Sequence, residues 1–210
     1  MIVTRPRDQA RELVRALRDA GFEPVECPLI AIEPIDDGPI DVDGYDWVVV
    51  TSANGAEQLA RRRIGELRAV AAIGSVTAAV LERRGIRVDF VPSVSTQEGL
   101  VAEFPRPAGH VLFVGAEEAR RLLVDELGAE FRPVYRTRRL RPDAPPQGDL
   151  VVLASPSAAE AYGALRVSIP AVTIGPQTTA AARTAAVEVA AEARTPDVAG
   201  IVAAVREATE

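Results

Sequence analysis

Short runs of valine, isoleucine and leucine alternate along this chain with longer amphipathic runs rich in alanine, arginine and glutamate. That alternation limits the fold more than any other feature, because continuous apolar strands between helices belong to parallel sheets buried on both faces. Ile2–Thr4 opens the pattern. The helix behind it places Ala10, Leu13, Val14 and Leu17 on one face at the i, i+3, i+4, i+7 spacing. Further strands are expected at Phe22–Glu26, Trp47–Thr51, Val70–Ile73, Val88–Val91, Val111–Val114, Phe131–Tyr135, Leu150–Ala154, Ala171–Ile174 and Val187–Ala190, about ten strand–helix units in all. Helix ends are marked as well. Ser155 before Pro156 and Thr195 before Pro196 read as capping hydroxyls ahead of first-turn prolines. Ser95–Glu98 matches a capping box, and Gly21 and Gly85 close helices.

The chain also repeats itself. Val48–Glu57 (VVVTSANGAE) parallels Val151–Glu160 (VVLASPSAAE), and Ala72–Ala78 (AIGSVTA) parallels Thr173–Thr179 (TIGPQTT). Ala10–Leu13 and Pro24–Val25 recur as Ala119–Leu122 and Pro133–Val134. Two similar open sheets explain this better than one very wide sheet. The charged or proline-rich stretches Glu33–Asp46 and Arg136–Gly148 are the natural connectors, and the acidic residues of the first, Asp36 and Asp37 among them, read as solvated. Arg61–Arg63 falls late in a helix, where cations suit the dipole, and is read as structural.

What is missing narrows the chemistry. There is one cysteine, Cys27, and one histidine, His110, which excludes an internal disulfide and a Cys/His zinc centre; no metal site is expected. All 24 basic residues are arginine, so lysine Schiff bases and Walker-type phosphate loops are out of reach. No dinucleotide fingerprint or nucleophile elbow occurs, and no cofactor is expected. A net charge of −6 argues against nucleic acid as a partner, although clustered arginines can still bind a small anion. No apolar run is long enough to cross a bilayer, and the first residues lack a signal-peptide core. A cytoplasmic monomer without membrane or nucleic-acid partners is expected.

Ligands of open parallel sheets bind beyond the carboxyl ends of the strands, where free N–H groups of helix N-termini receive anions. The turns at those ends carry small polar residues: Thr4–Pro6, Thr51–Asn54, Gly74–Thr77, Gly115–Ala116, Ser155–Ser157 and Gly175–Thr178. Helix capping alone would explain any one of them. Their recurrence in both halves points to a shared ligand cleft.

These residues, in this order, resemble the uroporphyrinogen-III synthase family. Thr4–Pro6 and then Pro28–Ile30 look like its opening, Thr51–Asn54 like its TS-A-N turn, and Ile73–Gly74 with Thr77–Ala78 like its first IG-x-x-TA element. Gln97–Leu100, Gly115 with Arg120, Val134–Thr137, Ser155–Ala158, and Ile174–Pro176 with Thr178 complete the series over nearly the whole chain. The resemblance implies two flavodoxin-like parallel α/β domains, one from residues 1–33 and 140–210 and the other from 34–139. Two extended strands would join them, with the active-site cleft between.

The resemblance also implies a lyase that needs no cofactor or metal. It would close hydroxymethylbilane, a linear tetrapyrrole with carboxylate side chains, to uroporphyrinogen III, with loss of water and inversion of ring D. Most of that task is control of orientation. Tyr135 matches the family tyrosine proposed to help the hydroxyl leave. Arg5, Thr51, Ser52, Asn54, Gly74, Thr77, Gly115, Arg120, Ser155, Ser157, Gly175 and Thr178 are the expected substrate contacts, with Thr77 and Thr178 also capping their helices. Asn54 stands where some relatives place a basic residue, which would remove that contact. The alternative is a non-catalytic module of the same fold that binds a tetrapyrrole or another anionic ligand. A flavodoxin-like nucleotide binder is a third reading, weakened by the lack of a stacking aromatic at the turns.

Overall fold

The computed structural model describes residues 1–209. The chain divides into two compact units, one made of Met1–Ala31 and the chain from Arg138 onward, the other of Ile32–Thr137. It opens in the first unit with β1 (Ile2–Val3), α1 (Arg7–Asp19) and β2 (Val25–Glu26), and β3 (Ile30–Pro34) leads away. The second unit contains β4 (Ile40–Asp41), β5 (Trp47–Val50), α2 (Ala53–Arg62), β6 (Arg63–Ile64), β7 (Val70–Ala72), α3 (Ser75–Arg83), α4 (Gln97–Glu103), β8 (Val111–Ala116), α5 (Leu122–Leu127) and β9 (Glu130–Arg139). The chain then completes the first unit with β10 (Val151–Leu153), α6 (Pro156–Gly163), β11 (Ala171–Thr173), α7 (Pro176–Thr184), β12 (Val189–Glu192) and α8 (Val198–Thr209). No described helix is long and apolar enough to cross a membrane.

The first unit's sheet has the order β12-β11-β10-β1-β2, parallel throughout. In the second unit the order is β3-β9-β8-β5-β7, with β5, β7, β8 and β9 parallel. There β3 runs against β9: the Leu140 N–H donates to Leu29 O (2.8 Å) and the Ile35 N–H to Val134 O (3.3 Å). A small parallel pair, β4 with β6, sits beside the main sheet.

Counted from β10, the first unit's strands lie in the order 3-2-1-4-5. The second unit has the same order counted from β5, once the single bridge from Ala71 to Phe90 stands for its third strand. The repeat seen in the sequence is therefore one doubly wound unit built twice, with the first copy circularly permuted. In each copy the strand order reverses beside the first strand, between β10 and β1 and between β5 and β8. Such a switch point opens a crevice for ligands at the carboxyl ends.

Alternation along the strands builds the cores. Val151 and Leu153 pack on one face of the first sheet with Ala158, Ala159 and Tyr162 of α6. Val152 faces the other side, with Leu13, Val14 and Leu17 of α1 and Ile201 of α8. In the second unit Val48 and Val50 join Ala56 and Leu59 of α2, while Val49 joins Leu100, Phe113 and Leu123. Both sheets are thus covered on both faces, as the apolar runs require.

Several local expectations need correction. Val88–Val91 forms only the Phe90 bridge; Pro92 has no N–H to extend pairing, and the Asp89 carboxylate already takes the Val70 N–H at 3.0 Å. The cap of α4 is Thr96, not Ser95: its hydroxyl accepts the Gly99 N–H at 3.0 Å, which displaces the capping box by one residue. Asp197 rather than Thr195 caps α8, accepting the Gly200 N–H at 2.7 Å, so Pro196 precedes the helix. A carboxylate is the stronger acceptor for an end amide.

Two non-glycine residues, Arg166 (φ 54°) and Ala186 (φ 57°), adopt left-handed backbone. In the repeat that aligns Ala72–Ala78 with Thr173–Thr179, Ala186 takes the place of Gly85, whose φ is 76°. The first unit thus keeps a steric strain that the second relieves with glycine. Ala186→Gly should raise stability by roughly 0.5–1 kcal/mol, the relief of strain less glycine's extra unfolded-state entropy. Urea unfolding checks this, and an unchanged or lower midpoint contradicts it.

Candidate active site

The expected site residues gather at the strand carboxyl ends of both units, and the second unit carries the denser cluster. Leaving β5, the chain turns at Thr51 and Ser52 into α2. Ser52 is extended (φ −161°, ψ 154°), and its Oγ caps the helix by accepting the Gly55 N–H at 3.0 Å. The same Oγ accepts the Tyr135 hydroxyl at 3.0 Å, and Asn54 bonds to the phenol as well. Tyr135 is buried, and burial raises its pKa; Ser52 and Asn54 oppose that, whereas the nearby Glu118 carboxylate adds to it. Glu118 is fixed by the Thr137 N–H at 3.0 Å. Tyr135, Ser52 and Asn54 therefore form one hydrogen-bonded group, in which Asn54 serves the phenol directly.

Thr51 and Gly115 meet at this unit's switch point. A Cβ on Gly115 would lie 3.5 Å from Thr51 Oγ1 and 3.0 Å from the Phe113 ring, so glycine keeps the crevice clear. Gly74 caps α3 without a side chain and packs on Ser95: a Cβ there would come within 2.5 Å of Ser95 Oγ. Its counterpart Gly175 caps α7, and no atom lies within 4 Å of where its Cβ would be. Neither helix has a side-chain cap bond. The capping role expected for Thr77 and Thr178 is therefore overturned; glycine in the cap position leaves both buried threonines in the first turn without that duty.

In the first unit, the Thr4 hydroxyl crosses the switch point to donate to Val152 O at 2.7 Å. Arg5 follows; burial lowers its pKa, opposed by Glu12. Ser155 caps α6 as expected, accepting the Ala158 N–H at 3.1 Å, and the half-buried Ser157 lies in that first turn.

Arg120 is already engaged. It holds the exposed Glu98 carboxylate through both oxygens, so in this state its guanidinium is not an open carboxylate receptor. Gln97, next to Glu98, donates to Arg120 O at 3.3 Å, and its own buried Oε1 has no partner. Arg62 has a partner set that the sequence does not reveal. It is structural, as its place late in a helix suggests, but in a way the dipole does not imply: its side chain is only 4% exposed and pairs with Asp36, which the sequence places in a solvated connector. Among the described residues no group of His, Cys, Asp and Glu is arranged to hold a metal ion.

Fold and site together define a two-unit doubly wound α/β protein with polar turns and glycine-capped helices at the strand carboxyl ends of each unit, and a buried phenol in the second. The sequence model of the family described as "Uroporphyrinogen-III synthase HemD" matches residues 11–203. The chain belongs to that family. It is 29% identical over 120 residues to a uroporphyrinogen-III synthase of Synechococcus elongatus, covering 51% of this chain and 46% of the relative. The matches span about half to three-fifths of the length of the first curated relatives. A mutant uroporphyrinogen III synthase from Thermus thermophilus shares the fold over 99% of this chain and 97% of its own, at TM-score 0.67 and 15% identity. The Helicobacter pylori uroporphyrinogen-III synthetase does so over 86% and 91%, at TM-score 0.63 and 16% identity.

The Arg120 pair holds the Glu98 carboxyl well below its usual range, at about 2. Because the folded pKa is depressed, any stability the pair contributes is present above the ordinary carboxyl range and lost as pH falls through about 2. Carboxyl NMR titration should find that low midpoint, and Arg120→Ala should return it toward about 4.3. A midpoint unmoved by Arg120→Ala would show that the pair does not persist in solution.

Proposed function

We propose that the chain is a uroporphyrinogen-III synthase, closing hydroxymethylbilane to uroporphyrinogen III with loss of water and inversion of ring D. The observation that carries this reading is the Tyr135 phenol, buried at the strand carboxyl ends and hydrogen-bonded to Ser52 and Asn54, in a chain of this family. Burial keeps the phenol protonated at neutral pH, as a proton donor must be.

The conversion is redox-neutral. Pyrrole electrons expel the terminal hydroxyl, which takes the Tyr135 proton and departs as water. The resulting azafulvene is attacked by the substituted α-carbon of ring D, giving a spiro intermediate that fragments and recloses at the other α-carbon. The proton lost as ring D regains aromaticity balances the one spent and can return to the phenolate, which Ser52 and Asn54 stabilise meanwhile. For the first transfer the leaving oxygen must replace Ser52 as acceptor of the phenolic O–H; Ser52 then retains the Gly55 N–H.

The remaining work is orientation. Acetate and propionate groups suit helix N-termini such as those beginning α3 and α7, and those of α2 and α6 apart from the Gly55 and Ala158 amides that Ser52 and Ser155 take. Thr77 and Thr178, relieved of capping, are available to the same groups, and the open space at Gly175 lets a ligand approach the backbone closely. Arg5 supplies a guanidinium for one carboxylate. The reading takes the chain to work as a monomer in the cytoplasm.

Incubation with hydroxymethylbilane, followed by chromatographic separation of the oxidised isomers, should yield the inverted isomer without added metal or cofactor. Only uninverted product, at the spontaneous rate, would reject the assignment. Tyr135→Phe should lower kcat by roughly 10²–10⁴-fold, the usual contribution of a general acid. Thr77→Val and Thr178→Val should raise KM at unchanged thermal stability, since no cap bond is lost. A fall in stability without a change in KM would return them to a purely structural role.

A further inference from the structure

β9 carries one residue more than its neighbour just before the catalytic tyrosine. Gly115 of β8 pairs with Pro133 and Ala116 pairs with Tyr135, so Val134 is the inserted residue of a β-bulge. Strict alternation would place Tyr135 on the face of Phe131, which packs with Phe113 and Leu123. Instead Val134 and Tyr135 both lie in the cluster of Val50, Ala56 and Leu59, the face covered by α2. The bulge is what turns the phenol toward Ser52.

The bulge is gripped from the far end of the same helix. Arg62, the last residue of α2, directs its Nη1 at Val134 O (3.4 Å), which also accepts the Ile35 N–H at 3.3 Å. Its Nε donates to Gly38 O at 2.8 Å, and its Nη2 pairs with Asp36. Gln58, one turn back, accepts from Nη1 at 3.4 Å. Asp36 is shared with Arg132, at 3.6 Å. One planar fork thus ties the 36–38 segment to the bulge while its helix presents Ser52 to the next residue along β9. So deeply buried a charge is costly, and an apolar side chain of similar volume would fill the space. A guanidinium offers what an apolar group cannot: several donors in a fixed plane.

We infer that Arg62 is a positioning residue for Tyr135, holding the Val134 bulge so that the phenol meets Ser52. This deepens the reading of Tyr135 as proton donor and rests on it. The test uses protein labelled with ¹³C at tyrosine Cζ. The chain has 3 tyrosines, and Tyr45→Phe and Tyr162→Phe assign the signals. In Arg62→Met the Tyr135 signal and its titration midpoint should move while the other two stay. Its kcat should fall on the order of tenfold to a hundredfold at nearly constant KM, as expected when a catalytic group is misplaced by about 1 Å. Arg62→Lys should shift the same signal in the same direction, because one ammonium can hold Asp36 but cannot span Gly38 O and Val134 O together; it also carries the test if the Met variant does not fold. Folded variants with an unmoved Tyr135 signal and unchanged kcat, altered only in unfolding midpoint, overturn the inference. If the wild-type chain lacks synthase activity, the NMR arm still decides: a moved signal supports the positioning role and an unmoved one refutes it.

Discussion

The hydrogen bond from Tyr135 to Ser52 depends on a single inserted residue. Without Val134 as a bulge, the period of two along β9 would turn the phenol to the opposite face of the sheet, toward Phe113 rather than α2. The bulge joins two requirements that a regular strand cannot meet together. β9 must pair in register with β8 to complete the second sheet, and it must also deliver a polar ring to the helix start beyond β5. α2 meets that ring with both its termini, Ser52 on the phenol and Arg62 on the preceding carbonyl.

Duplication explains why similar turns recur in each unit, and divergence explains why the two sets are not alike. Each copy keeps the reversal of strand order at which a parallel sheet offers its crevice, and each keeps a glycine-capped helix beside it. The glycines nevertheless serve different ends. Gly74 is required by Ser95 packing against it, whereas nothing near Gly175 would oppose a side chain. A glycine that neither conformation nor packing demands is best accounted for by what approaches from outside. The phenol and its partners Ser52 and Asn54 belong to the second unit alone, and the first copy carries no counterpart of that group.

Much of this was legible in the sequence, for identifiable reasons. Apolar runs without alternation gave away the parallel sheets, because full burial leaves a continuous hydrophobic signature. The repeats located the turns, and the order of the family motifs singled out Tyr135, Ser52 and Asn54. What escaped notice was either a matter of one residue or of burial. A one-residue bulge has no local signal, since Val134 suits a regular strand equally well. Arg62 lies among three consecutive arginines and Asp36 in an acidic connector; only the tertiary fold buries one arginine and pairs it with that acid. The cap assignments at Ser95 and Thr195 failed because Thr96 and Asp197 compete for the same end amides, and proximity to the helix decides between them.

On the proposed function, labour is divided: the turns fix the folded shape of the tetrapyrrole, and Tyr135 serves the departure of the hydroxyl rather than the choice of isomer. The isomer ratio formed by Tyr135→Phe in a single turnover, with enzyme in excess so that free substrate does not cyclise unaided, tests this most directly. The account predicts slow formation of the inverted isomer as nearly the sole product. A mixture dominated by the uninverted isomer, formed on a protein that still binds its substrate, would contradict it and assign the inversion itself to the tyrosine.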